Sequence, residues 1–331
     1  MNKYSIYAIM SLYTKTISSE ETMYVGIDIG GTKCAVIKSD ENGKIIDKIR
    51  FETTDKDETL SRIFDAVESM GECKSIGISC GGPLDEEKGI ILSPPNLPGW
   101  DEVPIVEMLE SRFGVPAKIC NDANACAIAE WKFGAGVGSD NMIFMTFGTG
   151  LGAGLILNGK LYSGSCGFAG EIGHIRLADH GPSGYGKCGS FEGFCSGGGL
   201  RELGRTFARE YLQRGETPSF IAASSLETFT VAEMAEAARG GDRCALDAFE
   251  LCGKMLGRGL AIVCDILNVE VVIIGSVFAR CRDLLEENAL REFRREALPS
   301  VAECVKIKTP ALGEQIGDYA AIAVAMEGEK R

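Results

Sequence analysis

A glycine turn between two apolar strands constrains this chain more than any other stretch. Residues 24–37, YVGIDIGGTKCAVI, start with apolar side chains at alternate positions, the period of a β-strand. The turn that follows consists of Gly30, Gly31, Thr32 and Lys33. Because an apolar strand resumes directly after it, the turn closes a β-hairpin and differs from the strand-to-helix step of a Rossmann or Walker loop. A phosphate could approach the backbone of such a turn closely.

A second copy of this pattern lies roughly 120 residues downstream. Residues 142–157, MIFMTFGTGLGAGLIL, again contain an apolar strand, a glycine turn and a returning strand. The residues of this second turn and its edge are Gly148, Thr149, Gly150 and Gly152. One copy alone is compatible with any tight turn of a β-sheet. However, Asp28 places a carboxylate inside the first strand. Because a charge in a buried strand is costly, we expect this carboxylate to have a function. Together the two copies predict a duplicated nucleotide-binding fold that holds phosphates between its halves.

Composition limits the classes of partner. The chain has 331 residues, enough for two domains, and its 34 Lys and Arg against 47 Asp and Glu give a net charge of −13. This charge repels nucleic acid and anionic membranes, so a bound nucleotide must be held by local dipoles and metal ions. Thirteen Cys without disulfide-framework spacing predict a reducing, cytoplasmic environment. No apolar run approaches the ~20 residues of a membrane span.

The residue most suited to acid–base chemistry is Asp122. Residues 116–120 predict a strand and residues 123–133 an Ala-rich helix, so Asn121 and Asp122 fall at the strand end and the helix N-terminus. Capping of the helix is one interpretation, since Asn and Asp are preferred there. The other is a catalytic base whose charge is stabilised by backbone N–H groups and the helix dipole, outside the strand ends where α/β sheets bind ligands. A base of this kind should not face open solvent.

Three further segments carry candidate ligands. The loop 93–100, SPPNLPGW, offers Asn96 and an aromatic residue, and fits either a ligand-binding loop or a rigid surface connection. In residues 167–176, GFAGEIGHIR, an acid and a histidine three residues apart favour a polar site over a core histidine. The glycine-dense stretch 181–199 adds Cys188 and Cys195, whose C-x6-C spacing lacks the ligands of a typical zinc site.

The remaining pattern predicts alternating strands and helices without a low-complexity linker. Predicted helices cover residues 58–70, 105–113, 123–133, 200–212, 231–239, 243–267, 281–297 and 320–326. Further strands are predicted at residues 44–53, 75–79, 116–120, 269–274 and 305–309. Residues 1–22 are interpreted as a disordered extension or a misannotated start. We expect a small α/β domain of residues 23–122 plus about 310–331, and a large one of 123–309.

Together these motifs resemble the ROK family of sugar kinases and repressors, within the actin, hexokinase and Hsp70-like ATPase superfamily. The likeness covers Met23 to the C-terminus. It rests on D-x-G-G-T-K at 28–33, N-D at 121–122, F-G-T-G-L-G-A-G at 147–154 and G-E-I-G-H at 170–174. The resemblance implies an α/β, two-lobed actin/hexokinase-like ATPase fold, a duplicated ribonuclease-H-like architecture.

The resemblance also implies an activity, namely ATP- and Mg²⁺-dependent phosphorylation of a hexose hydroxyl, usually O6, by a homodimer. Asp122 matches the family's catalytic base. Positions that match or lie among the sugar ligands are Gly82, Asn96, Asn121, Glu171, His174 and Glu192. Positions that match the nucleotide site are Asp28 near the metal, Gly30–Lys33 and Gly148–Gly152 at the phosphates, and Gly275 at the adenosine.

The substrate stays open between glucose, the default, and N-acetylmannosamine, N-acetylglucosamine, fructose or allose. A sugar-sensing repressor is the rival from another class, but it needs an N-terminal helix-turn-helix domain of roughly 60–80 residues, and only 22 residues precede the first strand. A catalytically silent sugar-binding protein is a third possibility, against which Asp122 and both phosphate turns weigh.

The chain departs from the family at its zinc motif. Relatives commonly carry C-x-C-G-x-x-G-C-x-E after the histidine, with three thiolates completing a zinc site. Aligned without gaps, residues 183–192 match this frame, but Ser183, Tyr185 and Ser190 occupy the cysteine positions. Glu192, which in the family binds the sugar, is retained. We therefore expect the scaffold without structural zinc, and the sequence leaves open what orients His174 instead.

Overall fold

The computed structural model describes residues 22–222 and 225–328. Its strands are β1 Tyr24–Ile29, β2 Lys33–Ser39, β3 Ile45–Glu52, β4 Ser75–Cys80, β5 Leu84–Asp85, β6 Ile90–Ile91, β7 Ala117–Asn121, β8 Met142–Phe147, β9 Leu151–Leu157, β10 Lys160–Leu161, β11 Ser183–Gly184, β12 Lys187–Cys188, β13 Val271–Ile274 and β14 Lys306–Lys308. The interpretation of residues 1–22 falls, apart from Thr22, outside the described residues.

The helices follow the same numbering by chain order. They are α1 Lys56–Ser69, α2 Ile105–Phe113, α3 Asp122–Phe133, α4 Phe191–Phe194, α5 Gly197–Gln213, α6 Ser219–Ala222, α7 Val231–Arg239, α8 Arg243–Leu267, α9 Val277–Arg280, α10 Arg282–Glu296, α11 Pro299–Cys304 and α12 Ile316–Gly328, with 3₁₀ turns at Ile172–His174 and Gly313–Gln315. None of the helices in the described ranges combines the length and the apolar character needed to cross a bilayer.

The chain divides into two compact units. The first contains the described residues up to Ile119 and those from Ala321 onward, and the second is Cys120–Ala320. The predicted boundaries were 122/123 and about 309/310, so the return to the first unit occurs some ten residues later than expected. The reason is α12, a single helix whose later part packs on the first unit.

The first unit is built on a five-stranded sheet with strand order β3-β2-β1-β4-β7. β1 pairs antiparallel with β2 through the predicted hairpin and parallel with β4 on its other side. Both central strands, β1 and β4, are buried along nearly their whole length, because helices cover both faces of this sheet. α1 and α2 cover one face, where Ile63 and Leu109 join the strand residues in one core.

The opposite face of this sheet receives α12 at unusually short range. Gly26 and Gly77 are register partners on β1 and β4. A Cβ at Gly77 would lie 2.1 Å from the backbone nitrogen of Ala325, and one at Gly26 would lie 2.8 Å from that of Ile322. Only residues without a side chain leave room for the helix backbone there.

The second unit repeats the arrangement. Its sheet has the order β10-β9-β8-β13-β14, in which β8 pairs antiparallel with β9 through the second glycine hairpin and parallel with β13. Gly154 on β9 lets α3 approach, since a Cβ there would lie 2.5 Å from the carbonyl oxygen of Ala123. The long α8 and α10 bury residues such as Phe249 and Phe293 in the same core.

Both predicted hairpins and all eight predicted helices are confirmed, with boundary differences of at most four residues. The glycine-dense stretch 181–199 is more ordered than a loop: it forms β11, β12 and α4, and α5 begins within it at Gly197. The Ser196 side chain caps α5 by accepting a hydrogen bond from the Gly199 N–H (2.9 Å). The short α6, α9 and α11 were not predicted, because helices of four to six residues show little periodicity.

Candidate active site

The β1–β2 turn of the first unit is exposed to solvent and is stabilised by hydrogen bonds, among them two from Thr53. The Gly30 N–H donates to the Lys33 carbonyl (3.1 Å), which closes the turn. Thr53, directly after β3, donates its hydroxyl to the Gly30 carbonyl (2.7 Å), and its N–H donates to the Thr32 carbonyl (3.0 Å). Gly31, Thr32 and Lys33 are all exposed. The turn therefore presents its backbone to solvent, as a phosphate-binding turn must.

The loop 93–100 packs directly on this turn. Its buried Leu97 and Trp100 anchor it in the core of the first unit, while Asn96 between them is exposed. A Cβ at Gly31 would lie 2.6 Å from both the Cβ and the carbonyl oxygen of Asn96. The structure thus brings Asn96 to the β1–β2 turn. Trp100, in contrast, is a core residue that anchors the loop.

Asp28 and Gly82 occupy neighbouring strand ends of the same sheet. Asp28 lies on β1 opposite Ser79 of β4, and Gly82 follows the end of β4 at Cys80. Both residues are half-buried. The Asp28 carboxylate contributes to the raised pKa of the Cys34 thiol, whose main cause is burial. A carboxylate at this place is an oxygen donor suited to Mg²⁺, directly or through its water shell.

The β8–β9 turn of the second unit is held by polar contacts on several sides. The Gly148 N–H donates to the Gly150 carbonyl (3.0 Å), and the Gly148 carbonyl accepts from the N–H of Gly197, the first residue of α5 (2.8 Å). The Gly152 N–H donates to the hydroxyl of Thr146 (3.0 Å). The turn therefore meets the N-terminus of a 17-residue helix, whose dipole favours an anion nearby.

Glu192 links this turn to the predicted sugar ligands. Its Oε2 accepts a hydrogen bond from the Leu151 N–H (3.0 Å), and a Cβ at Gly150 would lie 2.7 Å from the same oxygen. Gly173, between Glu171 and His174 in the 3₁₀ turn region, approaches the Leu151 carbonyl so closely that a Cβ would lie 2.3 Å away. Leu151 is thus in contact with both the Glu192 carboxylate and the segment that carries the acid and the histidine.

Gly275 and Ser276 follow β13 at the same end of the second sheet. Gly275 is buried, and its N–H donates to the Met145 carbonyl (3.0 Å). Ser276 has φ 56° and ψ −116°, a costly conformation for a non-glycine residue, and its hydroxyl would contact a Cβ at Gly148 at 3.7 Å. Arg280 donates to that hydroxyl (3.1 Å). Strained backbone beside a phosphate turn is typical of a ligand site.

A cavity of about 700 Å³ adjoins these residues and was not predicted from the sequence. α6, α7 and the segment that begins with α9 line it. The lining residues include Phe220, Val231, Ala235, Arg239, Val277 and Arg280. The only signal in the sequence was the strand end at Gly275 and Ser276; the helices that form the walls lie about 40 residues earlier and carry no motif.

Asp122 begins α3, and the structure separates its role from that of Asn121. Asn121 is the N-cap: its side-chain oxygen accepts from the Ala123 N–H (3.0 Å). Asp122 Oδ1 accepts from the same N–H (2.8 Å). Asn121 therefore caps the helix, whereas Asp122 is the first residue of the helix proper and is not needed as its cap.

The Asp122 carboxyl has a raised pKa. Desolvation is the main cause; the hydrogen bond from Ala123 opposes it, and the negative charge of Glu171 adds to it. The backbone hydrogen bonds at the helix N-terminus lower this pKa, in the direction that the sequence predicts, but desolvation outweighs them. The prediction that Asp122 would not face solvent is wrong for the residue as a whole, which is exposed, although its carboxyl is desolvated. Exposure of this kind still allows a substrate hydroxyl to reach the carboxyl.

Comparison with known proteins decides the family. The ROK family profile matches residues 24–327. The chain belongs to the ROK family. The resemblance inferred from the four motifs is thereby confirmed.

Relatives and solved structures agree with this assignment. A glucokinase of Thermotoga maritima is 32% identical over 311 residues, which are 92% of this chain and 97% of that protein. A xylose repressor of Caldicellulosiruptor bescii is 33% identical over 270 residues, 76% of this chain and 65% of the repressor. The crystal structure of a ROK family glucokinase from Streptomyces griseus with glucose and AMPPNP has a TM-score of 0.74 at 31% identity and covers 92% of this chain and 99% of that one. The fold is the α/β actin/hexokinase-like ATPase fold, in its duplicated ribonuclease-H-like form.

Proposed function

We propose that this protein is an ATP-dependent hexose kinase that phosphorylates a sugar hydroxyl, with O6 of glucose as the expected acceptor. The observation that supports the proposal most is the contact of Glu192 with the β8–β9 turn. A predicted sugar ligand and a predicted phosphate turn adjoin within one compact unit, which an enzyme that joins sugar and phosphate requires. The identity to the Thermotoga glucokinase over almost the whole chain points the same way.

Asp122 is the proposed general base. Its carboxylate would accept the proton of the attacking sugar hydroxyl, which must come within about 3 Å of it. The raised pKa suits this role, because a carboxylate that binds protons more tightly than usual is a stronger base once ionised. Glu171 contributes to that pKa through its charge.

We propose that charged and amide side chains of this site bind the hydroxyl groups of the sugar. The residues assigned to it are Gly82, Asn96, Asn121, Glu171, His174 and Glu192. One carboxylate oxygen of Glu192 is held by Leu151, which fixes the orientation of the group before substrate binds. The acceptor alternatives are N-acetylmannosamine, N-acetylglucosamine, fructose and allose.

For the nucleotide we propose that both glycine turns bind phosphate through backbone N–H groups, Gly30–Lys33 in one unit and Gly148–Gly152 in the other. The base and ribose would occupy the cavity beside Gly275 and Ser276, whose volume of about 700 Å³ is ample for a nucleoside. Mg²⁺ bound with ATP supplies positive charge to the phosphoryl oxygens, and Asp28 is the residue we assign to it. The chain itself contributes positioning, which supplies much of the rate in phosphoryl transfer.

We also propose a cytoplasmic homodimer, since all thirteen cysteines are free thiols and a dimer is the family's usual minimum. A sugar-responsive repressor is the second candidate, because a xylose repressor reaches a comparable identity, 33% over 270 residues against 32% over 311 for the glucokinase. The net charge of −13 weighs against DNA binding by this chain.

The test is ADP formation by the purified full chain with ATP and Mg²⁺, over a panel of the five sugars named above. We expect glucose-dependent turnover, with the product identified as the 6-phosphate by NMR. Turnover with another sugar but not glucose would correct the substrate and keep the enzyme class. No sugar-dependent turnover, together with sugar-sensitive binding to DNA in a mobility-shift assay, would replace the kinase by the repressor.

A further inference from the structure

The frame in which relatives commonly carry zinc-binding cysteines forms a small β-hairpin in this chain. β11 and β12 pair antiparallel, with Gly184 opposite Lys187. The two turn residues, Tyr185 and Gly186, have φ values of 45° and 76°. Positive φ at both central residues is the signature of a type I′ turn, for which Asn-Gly is the preferred dipeptide.

Tyr185 is an unfavourable residue for this turn. A bulky side chain in the left-handed region is sterically costly, and Tyr185 is 83% exposed, so burial in a core does not offset that cost. Its ring instead meets the His174 ring edge-on, with centroids 5.3 Å apart and an interplanar angle of 81°. Strain that persists where a side chain touches a predicted substrate ligand indicates a functional constraint.

Other contacts tie the same hairpin to the backbone of His174 and to Arg176, two residues downstream. The Lys187 ammonium donates to the backbone carbonyl of His174. Downstream, Arg176 donates through Nη1 to the Cys188 carbonyl (2.6 Å). The histidine segment is thus attached to the hairpin by a ring contact, a charged hydrogen bond to its own backbone and a second charged hydrogen bond two residues later.

The donor atoms here do not suit a zinc ion. Across residues 22–222 and 225–328, no three His, Cys, Asp or Glu side chains gather as a metal site. The Cys188 thiol donates to the Gly181 carbonyl (3.1 Å), and the buried Ser190 hydroxyl caps α4 by accepting from the Gly193 N–H (3.1 Å). Structural zinc sites use thiolate and imidazole ligands, which hydroxyl groups do not replace.

We propose that the hairpin 183–188 positions the His174 imidazole through protein contacts, with the Tyr185 ring and the Lys187 ammonium doing what a bound metal does in relatives. Tyr185 and Lys187 are positioning residues, because both contact His174 and would act on the sugar through it. The consequence for the sugar rests on the proposed function, whereas the orientation of His174 does not.

The first experiment monitors the surroundings of the His174 imidazole directly by NMR. The chain has two histidines, so selective labelling of the Cε1 carbon of the histidine ring gives one NMR signal for each, assigned with His180→Gln. Tyr185→Asn creates the dipeptide that the turn prefers and removes the ring, so we expect a folded protein with an unchanged or higher Tm. Its His174 signal should shift or broaden while that of His180 stays. An unmoved His174 signal would overturn the proposal whether or not the protein is a kinase.

The second experiment measures kinetics with the sugar that the panel identifies. We expect Tyr185→Asn to raise KM for the sugar about three- to tenfold, the range of one aromatic contact, with KM for ATP unchanged. Tyr185→Phe keeps the ring and should restore both KM and the NMR signal. Tyr162→Leu, at another exposed tyrosine of the same unit, is the matched control. If Tyr185→Asn shifts the His174 signal but leaves KM for the sugar unchanged, the inference that the orientation of His174 affects sugar binding would be overturned.

The third experiment tests the metal. Protein purified from zinc-supplemented culture should contain far less than one zinc per chain by elemental analysis, and EDTA should leave its Tm unchanged. Lys187→Met should move the His174 signal under the same conditions. One zinc per chain together with a lower Tm in EDTA would show that a metal orients this segment, and the proposal would fail.

Discussion

The two units share a sheet order and a glycine turn, yet they support that turn by different means. In the first unit Thr53 and the packed loop around Asn96 hold the turn, mainly through backbone contacts and steric fit. In the second unit the turn is joined to the Glu192 carboxylate and to the first residue of α5. The duplicated topology supplies both turns, whereas a carboxylate that accepts from the backbone beside the turn, that of Glu192, is found in the second unit.

The difference follows from what lies between the equivalent strands. From β2 to β4 the first unit inserts only β3 and α1, while from β9 to β13 the second inserts the whole series from β10 to α8. That insertion carries Glu171, His174 and Glu192 back to β9. We infer that the first unit chiefly binds and the second both binds and reacts. The variants described below test this difference between the two units.

The largest effect should come from the proposed base in the second unit. Asp122→Asn removes the proton acceptor but keeps the size of the side chain, so we expect kcat to fall about 10³-fold with a modest change in sugar KM. Asp57→Asn, a surface acid of α1, is the control and should leave kcat unchanged. Steady-state kinetics of both variants measures this effect. Retained turnover in Asp122→Asn would contradict the proposal that the second unit supplies the catalytic base.

A matched pair of glycine variants compares the two turns. In Gly31→Ala the new Cβ would lie 2.6 Å from the Asn96 backbone oxygen, so the whole turn must shift and kcat/KM for ATP should fall about 10²-fold. In Gly150→Ala the nearest atom is the end of the Glu192 side chain at 2.7 Å, which can move. We expect roughly a tenfold loss there, shared between ATP and sugar. Loss for ATP alone in Gly150→Ala would contradict the coupling through Glu192.

A second pair of glycine variants compares the close helix–sheet contacts of the two units, Gly77 with α12 and Gly154 with α3. Gly77→Ala brings a Cβ within 2.1 Å of the Ala325 backbone, and we expect about 1–3 kcal/mol of lost stability in denaturant unfolding, with kcat preserved in the folded protein. Gly154→Ala presses on Ala123, next to Asp122, and should lower both stability and kcat. Equal kcat in the two variants would mean that the position of α3 does not matter for the reaction.

The smallest effect concerns pH. Asp122 must be ionised to act as a base, so kcat/KM should fall as the pH drops through its raised pKa. Glu171→Gln removes a negative charge that helps to raise this pKa, and the acid limb of the kcat/KM profile should therefore move to lower pH. Glu41→Gln, an exposed acid of the first unit, is the control. A limb that stays in place or moves upward would exclude Glu171 as a neighbour that tunes Asp122.

Much of this protein could be predicted from local pattern. The alternation of apolar residues around two glycine turns predicted both hairpins, and the motifs at 28–33, 121–122, 147–154 and 170–174 predicted the family. These features depend on residues close together in the chain, where backbone preference and side-chain period act directly. The assignment of the individual ligands remains a prediction.

Only the tertiary structure decided the rest, because it depends on contacts between distant segments. Nothing near Trp100 shows that it is buried in a core, and nothing near Gly77 shows that α12 will lie on it. Likewise, desolvation and the Glu171 charge, rather than the adjacent helix terminus, determine the direction of the Asp122 pKa. Periodicity specifies which elements form, whereas the surroundings of a side chain are set by the packing of elements that the chain brings together from far apart.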